Sequence, residues 1–181
     1  MKQVIVSFVL LLLIGLPACN NNKPEPKSST TIPEKKAETK SVELHVVKLT
    51  ELFNVIKSHK GKIVVVDVWS TGCAPCVEEF PHFVELQHKY EAKNVVCISV
   101  SLNESEQKES ALKFLRNQKA TTANYLVGDE QTELREAWDF DGIPVCRVYA
   151  PSGELAQQFT NDKKVFTYAD VEPVVQKLLT P

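Results

Sequence analysis

The residues in this chain best suited to chemistry are two thiols, Cys73 and Cys76, in the run Trp69-Ser-Thr-Gly-Cys-Ala-Pro-Cys76. Cysteines separated by two residues can close a small disulfide ring and open it again by thiol–disulfide exchange. The thiolate is the nucleophile, so the chemistry turns on which sulfur is ionised. The preceding run, Lys62-Ile-Val-Val-Val-Asp-Val-Trp69, is almost continuously β-branched, as in a strand buried on both faces. A helix is expected from about Ala74 to Ala92, which puts Cys73 at its N-terminus. Unpaired amide N–H groups and the helix dipole there favour a thiolate. Cys76 lies nearly one turn further in and is more shielded. The asymmetry divides the labour: Cys73 attacks a partner disulfide, and Cys76 then attacks Cys73 and releases the reduced partner. Run backwards, the same pair oxidises a dithiol.

Zinc is the competing use for two close thiols. A structural zinc site takes four ligands, commonly two such pairs or one pair with two histidines. The sequence holds no second pair, and His45, His59, His82 and His88 are scattered along it. His82 and His88, which share the helix of the pair, fall on different faces of it. No metal is expected.

The elements that would position the thiols follow from alternating periodicities. Strands are expected at Val42–Lys48, Lys62–Trp69, Asn94–Val100, Ala123–Val127, Val145–Tyr149 and Glu154–Phe159. Helices are expected at Thr50–Ser58, with Thr50 as cap and Gly61 as terminator, and at Glu104–Gln118, Glu130–Trp138 and Tyr168–Leu179, besides the one after Cys73. Strand–helix alternation implies parallel pairing, and Pro151-Ser-Gly153 joins the last two strands as an antiparallel hairpin. The expected architecture is α/β, a central sheet of mixed direction with helices on both faces.

Composition narrows the setting. The chain has 181 residues, 43% hydrophobic, with 21 basic against 23 acidic residues and a net charge of −2. That balance suits a soluble globular domain and leaves no basic excess to neutralise a nucleic-acid backbone. The asymmetry lies at the N-terminus. Residues 1–18 carry Lys2 and then an apolar run from Val4 to Leu16, too short to span a bilayer comfortably and suited to a secretory signal peptide. Residues 20–41 are almost wholly polar and cannot bury enough surface to offset their own ordering. They read as a flexible tether with a root-mean-square span of about 25 Å. Residues 42–181 form the domain, with 15 basic and 20 acidic residues.

Two resemblances add to this reading. Leu16-Pro-Ala-Cys19 resembles a bacterial lipobox, although Pro17 is an unusual second residue. The resemblance implies that Cys19 becomes the lipidated first residue of a protein held in the cell envelope, outside the cytoplasm. The alternatives are an ordinary cleaved signal peptide followed by an incidental cysteine, and an uncleaved anchor. Residues 42–181 resemble the thioredoxin superfamily. Asp67 stands six residues before Cys73 where that superfamily has a buried acid; Trp69 matches the aromatic residue before its active site; Pro81 falls at its helix kink; and Gly142-Ile143-Pro144 matches its cis-proline loop. A central helix–strand insertion between about residues 104 and 127, together with Glu78-Glu79-Phe80-Pro81, resembles the TlpA/ResA-like branch of exported, membrane-attached members.

The resemblance implies roles for the companion residues. Asp67, buried and slow to lose its proton, would act as base for Cys76; many ResA-like proteins carry another residue there. Glu79 would tune the cysteine pKa values. Trp69 would both pack beneath the site and take part in the docking surface, with Ile143 and Pro144, and backbone at Ile143 would be free to pair with an extended partner. Cys97 and Cys146 lie on strands that the family's order places on opposite sides of the Asp67 strand. Two strand spacings, about 9–10 Å, exceed the Cα separation a disulfide tolerates, so two buried free thiols are expected.

The function implied is thiol–disulfide oxidoreduction through Cys73 and Cys76, by a monomer without a cofactor. Its substrates would be exported protein thiols or disulfides, cytochrome c apoprotein among them. The Pro before Cys76 suggests the reducing direction, which then requires a membrane electron donor. A thiol peroxidase and a metal or haem chaperone on the same fold are the alternatives.

Overall fold

The two β-branched runs lie side by side at the centre of a six-stranded sheet. The computed structural model describes residues 41–161 and 165–180. The expected leader, Cys19 and all but the last residue of the expected tether lie outside them. In chain order the elements are β1 (His45–Val46), α1 (Leu49–Ser58), β2 (Ile63–Trp69), α2 (Ala74–Tyr90), β3 (Val95–Ser101), α3 (Lys108–Asn117), β4 (Ala123–Leu126), α4 (Gln131–Trp138), β5 (Val145–Tyr149), β6 (Leu155–Phe159) and α5 (Tyr168–Leu179).

The sheet order is β1-β4-β3-β2-β5-β6. The pairs on the β1 side of β2 are parallel, and β2–β5 and β5–β6 are antiparallel. This is the mixed, helix-flanked sheet expected, with α3 and β4 as the central insertion. Every residue of β2 is buried, which is why its sequence does not alternate. Ile63, Val65 and Trp69 pack into the layer beneath α2, α3 and α5, and Val64, Val66 and Val68 into the layer beneath α1 and α4. Asp67 therefore shares the face of Val65 and Trp69.

Several boundaries differ from expectation; α3, for one, begins at Lys108 after a 3-10 turn, Ser105–Gln107, and not at Glu104. Of the seven residues from Val42 to Lys48, only His45 and Val46 form a strand. They sit at the sheet edge, both exposed, with β4 as their one neighbour, so little burial rewards a longer pairing. Helix α1 starts before Thr50, because carboxylates do the capping: Glu51 accepts from the Lys48 N–H at 3.1 Å, and Glu130 from the Leu49 N–H at 2.5 Å. Helix α2 stops at Tyr90, where a short 3-10 turn, Glu91–Lys93, and left-handed Asn94 (φ 64°) redirect the chain into β3. Among the described residues no helix is long and apolar enough to cross a membrane.

Candidate active site

The site forms where β2 ends and α2 begins. Between them Ser70–Gly72 is held by Asn103, just past β3: its Oδ1 accepts the Thr71 N–H at 3.1 Å, and its Nδ2 donates to Thr71 Oγ1 at 2.6 Å. The Leu102 N–H donates to the Trp69 carbonyl at 2.7 Å. The loop therefore leaves the sheet along a fixed path and delivers Cys73 to the N-cap of α2.

Cys73 and Cys76 are joined in a disulfide, with Cα atoms 5.3 Å apart. The Cys76 N–H, one of the amides a first helical turn leaves unpaired, donates to Cys73 Sγ at 3.3 Å. Pro75 occupies the same turn, where a missing N–H leaves no bond unmade. Cys73 is half-buried and Cys76 only 3% exposed. An incoming group thus reaches Cys73 first. The Ile143–Pro144 peptide is cis, and the Ile143 carbonyl oxygen lies 3.6 Å from Cys73 Sγ. Ile143 is half-buried and Pro144 buried.

Asp67 lies below, 4% exposed, on the face of the sheet into which Cys76 also packs. The Tyr168 hydroxyl donates to its Oδ1 at 2.5 Å. Burial pushes the Asp67 carboxyl up to about 7; the Tyr168 hydrogen bond opposes the rise, and the charge of Glu79 adds to it. Glu79 accepts the Tyr168 N–H at 3.1 Å, capping α5 and fixing the residue that bonds Asp67. The visible action of Glu79 is therefore on Asp67 and α5, whereas the resemblance implied an action on the cysteines.

One expectation is corrected. Trp69 is not part of an exposed docking surface: its side chain is fully buried. It packs against Phe80 and Phe114, with ring centroids 4.9 and 4.8 Å away, and its Nε1–H donates to Ser99 Oγ at 3.3 Å. As the last residue of β2 it faces α2 and α3, so it supports the loop from beneath.

Cys97 pairs across from Val65 and Cys146 across from Asp67, on opposite sides of β2. Both are buried free thiols, as expected. Burial pushes both up, and the Asp67 charge adds to the effect. Neither is poised as a nucleophile. Among the described residues no three His, Cys, Asp or Glu side chains gather as a metal site would require.

Two residues of the site escaped the sequence reading. Tyr168 appeared there only as the start of the last helix, 101 residues from its partner Asp67. A capping box marks its place: Asp170 accepts from the Thr167 N–H at 2.9 Å and from its hydroxyl at 3.0 Å. Asn103 had no signal beyond an Asn after a buried strand.

Comparison with known proteins agrees with this geometry. The AhpC/TSA family matches residues 31–164. The thiol-disulfide oxidoreductase ResA of Bacillus subtilis (strain 168) is 28% identical over 102 residues, 56% of this chain and 54% of that protein. ResA of Geobacillus kaustophilus (strain HTA426) is 29% identical over 117 residues, 65% of this chain and 63% of that protein. The chain thus spans less than two thirds of the length of these relatives. Among solved structures, a thiol:disulfide interchange protein DsbE from Chlorobium tepidum superposes with a TM-score of 0.57 at 24% identity, over 68% of this chain and 84% of that one. The thioredoxin domain of a Bacteroides vulgatus thiol-disulfide oxidoreductase gives 0.56 at 22% identity, over 68% and 84%. These structures establish a thioredoxin-like fold.

Proposed function

The chain belongs to the AhpC/TSA family, and from that premise we propose that it is a thiol–disulfide oxidoreductase that reduces disulfides in other exported proteins. The observation that supports this most is the Cys73–Cys76 disulfide at the N-terminus of α2, with its outer sulfur accessible and its inner one buried.

The cycle starts from the dithiol. The Cys73 thiolate, stabilised by the Cys76 N–H and the helix N-terminus, attacks one sulfur of a substrate disulfide. The Cys73–substrate bond forms, and the other substrate sulfur leaves as a thiolate. The substrate backbone pairs with the chain at Ile143, whose carbonyl stands beside Cys73. Asp67 then takes the Cys76 proton, and the Cys76 thiolate attacks Cys73 Sγ. The second substrate sulfur departs, and two electrons have passed to the substrate. The closed Cys73–Cys76 bond is the product state, and a membrane dithiol donor returns it to the start. Pro75 before Cys76 and the ResA relatives favour this direction. Lipid on Cys19 would hold the domain at the envelope through the tether, where cytochrome c apoprotein is one candidate substrate.

A trapping experiment tests this reading. A Cys76→Ser variant, expressed in envelope-bearing cells, should accumulate mixed disulfides through Cys73 that reductant releases. The chemically reduced wild type should reduce insulin, and Cys73→Ala should not. Rapid consumption of hydrogen peroxide with no insulin reduction would replace this reading with a peroxidase.

A further inference from the structure

On the other side of the sheet from the cysteine pair, beneath α1 and α4, lies a cavity of about 550 Å³. Its charge runs against that of the domain. Residues 42–181 hold more acids than bases, 20 against 15. The cavity is nevertheless lined by Lys57, His59, Lys60, Lys62 and Arg147, with no Asp or Glu among its described lining residues. Its walls are aromatic: Phe53 and Trp138 stack with centroids 5.9 Å apart and planes at 26°, and Tyr149 is a further wall.

Arg147 is the unusual member. It belongs to β5, so its side chain rises between the sheet and the two helices rather than into bulk water. Its guanidinium lies over the Trp138 ring at 4.6 Å and over the Tyr149 ring at 5.6 Å. Its Nε and Nη1 are enclosed and have no hydrogen-bond partner among the described residues. The described salt bridges do not include it. A cation taken out of water is ordinarily paired with an anion. The rings and the Tyr149 hydroxyl offset part of that cost, but no carboxylate among the described lining residues faces this half-buried charge, and the 57–62 segment adds more of the same sign.

We propose that this cavity binds a small anionic molecule with a flat apolar body, its carboxylate or phosphate held by Arg147 and the lysines of segment 57–62, and its body packed against the aromatic walls. The size fits, since pockets for small organic ligands run to about 300–1,000 Å³. The partly exposed rings of Phe53 and Tyr149 favour a flat body, since a bare inorganic anion would leave both facing water.

Calorimetric titration of the full-length chain with naphthoate is the test. Inorganic phosphate and the uncharged naphthylmethanol serve as comparisons. Naphthoate should bind saturably, one per chain, and each comparison compound at least about tenfold more weakly, the loss expected for removing charge-assisted hydrogen bonds or apolar contact. Naphthoate should also shift the indole N–H resonance of Trp138 and not that of Trp69. Arg147→Met should weaken binding. A Lys57→Glu, Lys62→Glu double variant, altered at two exposed positions away from the core and checked for a wild-type circular-dichroism spectrum, should weaken it as well. Absence of saturable binding would overturn the proposal. So would equal affinity for naphthylmethanol or phosphate, a shift at Trp69 instead, or unchanged affinity in the double variant.

Discussion

Replacing Asp67 with Asn should slow release of reduced substrate while leaving the first attack intact. The variant keeps the shape of the side chain and an oxygen to accept the Tyr168 hydrogen bond, and removes only the base. Its consequences follow from the displacement of the Asp67 pKa from 3.8 to about 7. At about 1.4 kcal/mol per unit, the ionised carboxyl costs the fold up to about 4 kcal/mol. The folded value lies above the unfolded one, so no penalty exists below about pH 4, and it grows as pH rises through about 7. Wild type should lose stability over that window relative to Asp67→Asn. The difference between their denaturant midpoints should widen from acid to neutral pH and level off beyond about pH 8. Tyr168, Cys97 and Cys146 do not confuse the comparison, since each is pushed upward and stays neutral in the window. In kinetics, a positioned base supplies about 100-fold or more. Near pH 7 about half of Asp67 is ionised, so a loss at the low end of that range is expected in the second phase. Stopped-flow measurement with a chromogenic disulfide resolves the two phases. The first phase should be unchanged, and the defect in the second should shrink toward about pH 9, where bulk hydroxide deprotonates Cys76. Equal second-phase rates for both proteins across the range would leave Asp67 a structural residue, and equal stability at all pH values would refute its raised pKa.

Tyr168→Phe removes the hydrogen bond that holds the Asp67 pKa down; the midpoint of the second-phase pH profile should move upward by about one unit or more, with the first phase unaffected. Asn103→Ala frees the Thr71 backbone and hydroxyl and should cost about 1–3 kcal/mol in denaturant unfolding. A Cys97→Ala, Cys146→Ala double variant should keep wild-type insulin reduction, since both thiols are buried and pushed upward; loss of activity in a folded variant would bring one of them into the cycle. Cys19→Ala should leave the precursor uncleaved or the protein released from the membrane fraction, and unchanged processing and partitioning would disprove lipidation.

How much of this was legible in the sequence depended on burial. β2 and β3 were readable to within a residue, because a strand covered on both faces is apolar at most positions instead of alternating. β1 was not, since alternation in Val42–Lys48 reports only that one side faces inward. The length of an edge strand depends on how far its neighbour runs, and β4 has four residues. The thiol pair was legible because its spacing and its place before a helix are both local. Trp69 shows the opposite case. The residue type suited packing and docking together, and the fully buried ring was decided by Phe80 and Phe114, which arrive from α2 and α3. Long-range partners of this kind leave no periodic signal.

Asp67 carries that point into the chemistry. Its own strand neighbours give it little. Its register partners are Ser99 on one side and Cys146 on the other; Ser99 Oγ is already engaged with Trp69 and Asn124, and a thiol is a weak partner. Burial alone would hold a carboxyl so placed neutral to a still higher pH. The Tyr168 hydroxyl works against that shift and brings the group to about 7, where it can both accept and give up a proton. Tyr168 is in turn placed by the cap of α5, made by Thr167 and Asp170, and by the bond from its N–H to Glu79. Glu79 stands three residues after Cys76 on α2. The helix that presents the thiols therefore also anchors the helix that sets the proton affinity of the acid. A shift of α2 would move the thiols and the acid's hydrogen-bond donor together, and the motif and the terminal helix act as one device although they lie far apart in sequence.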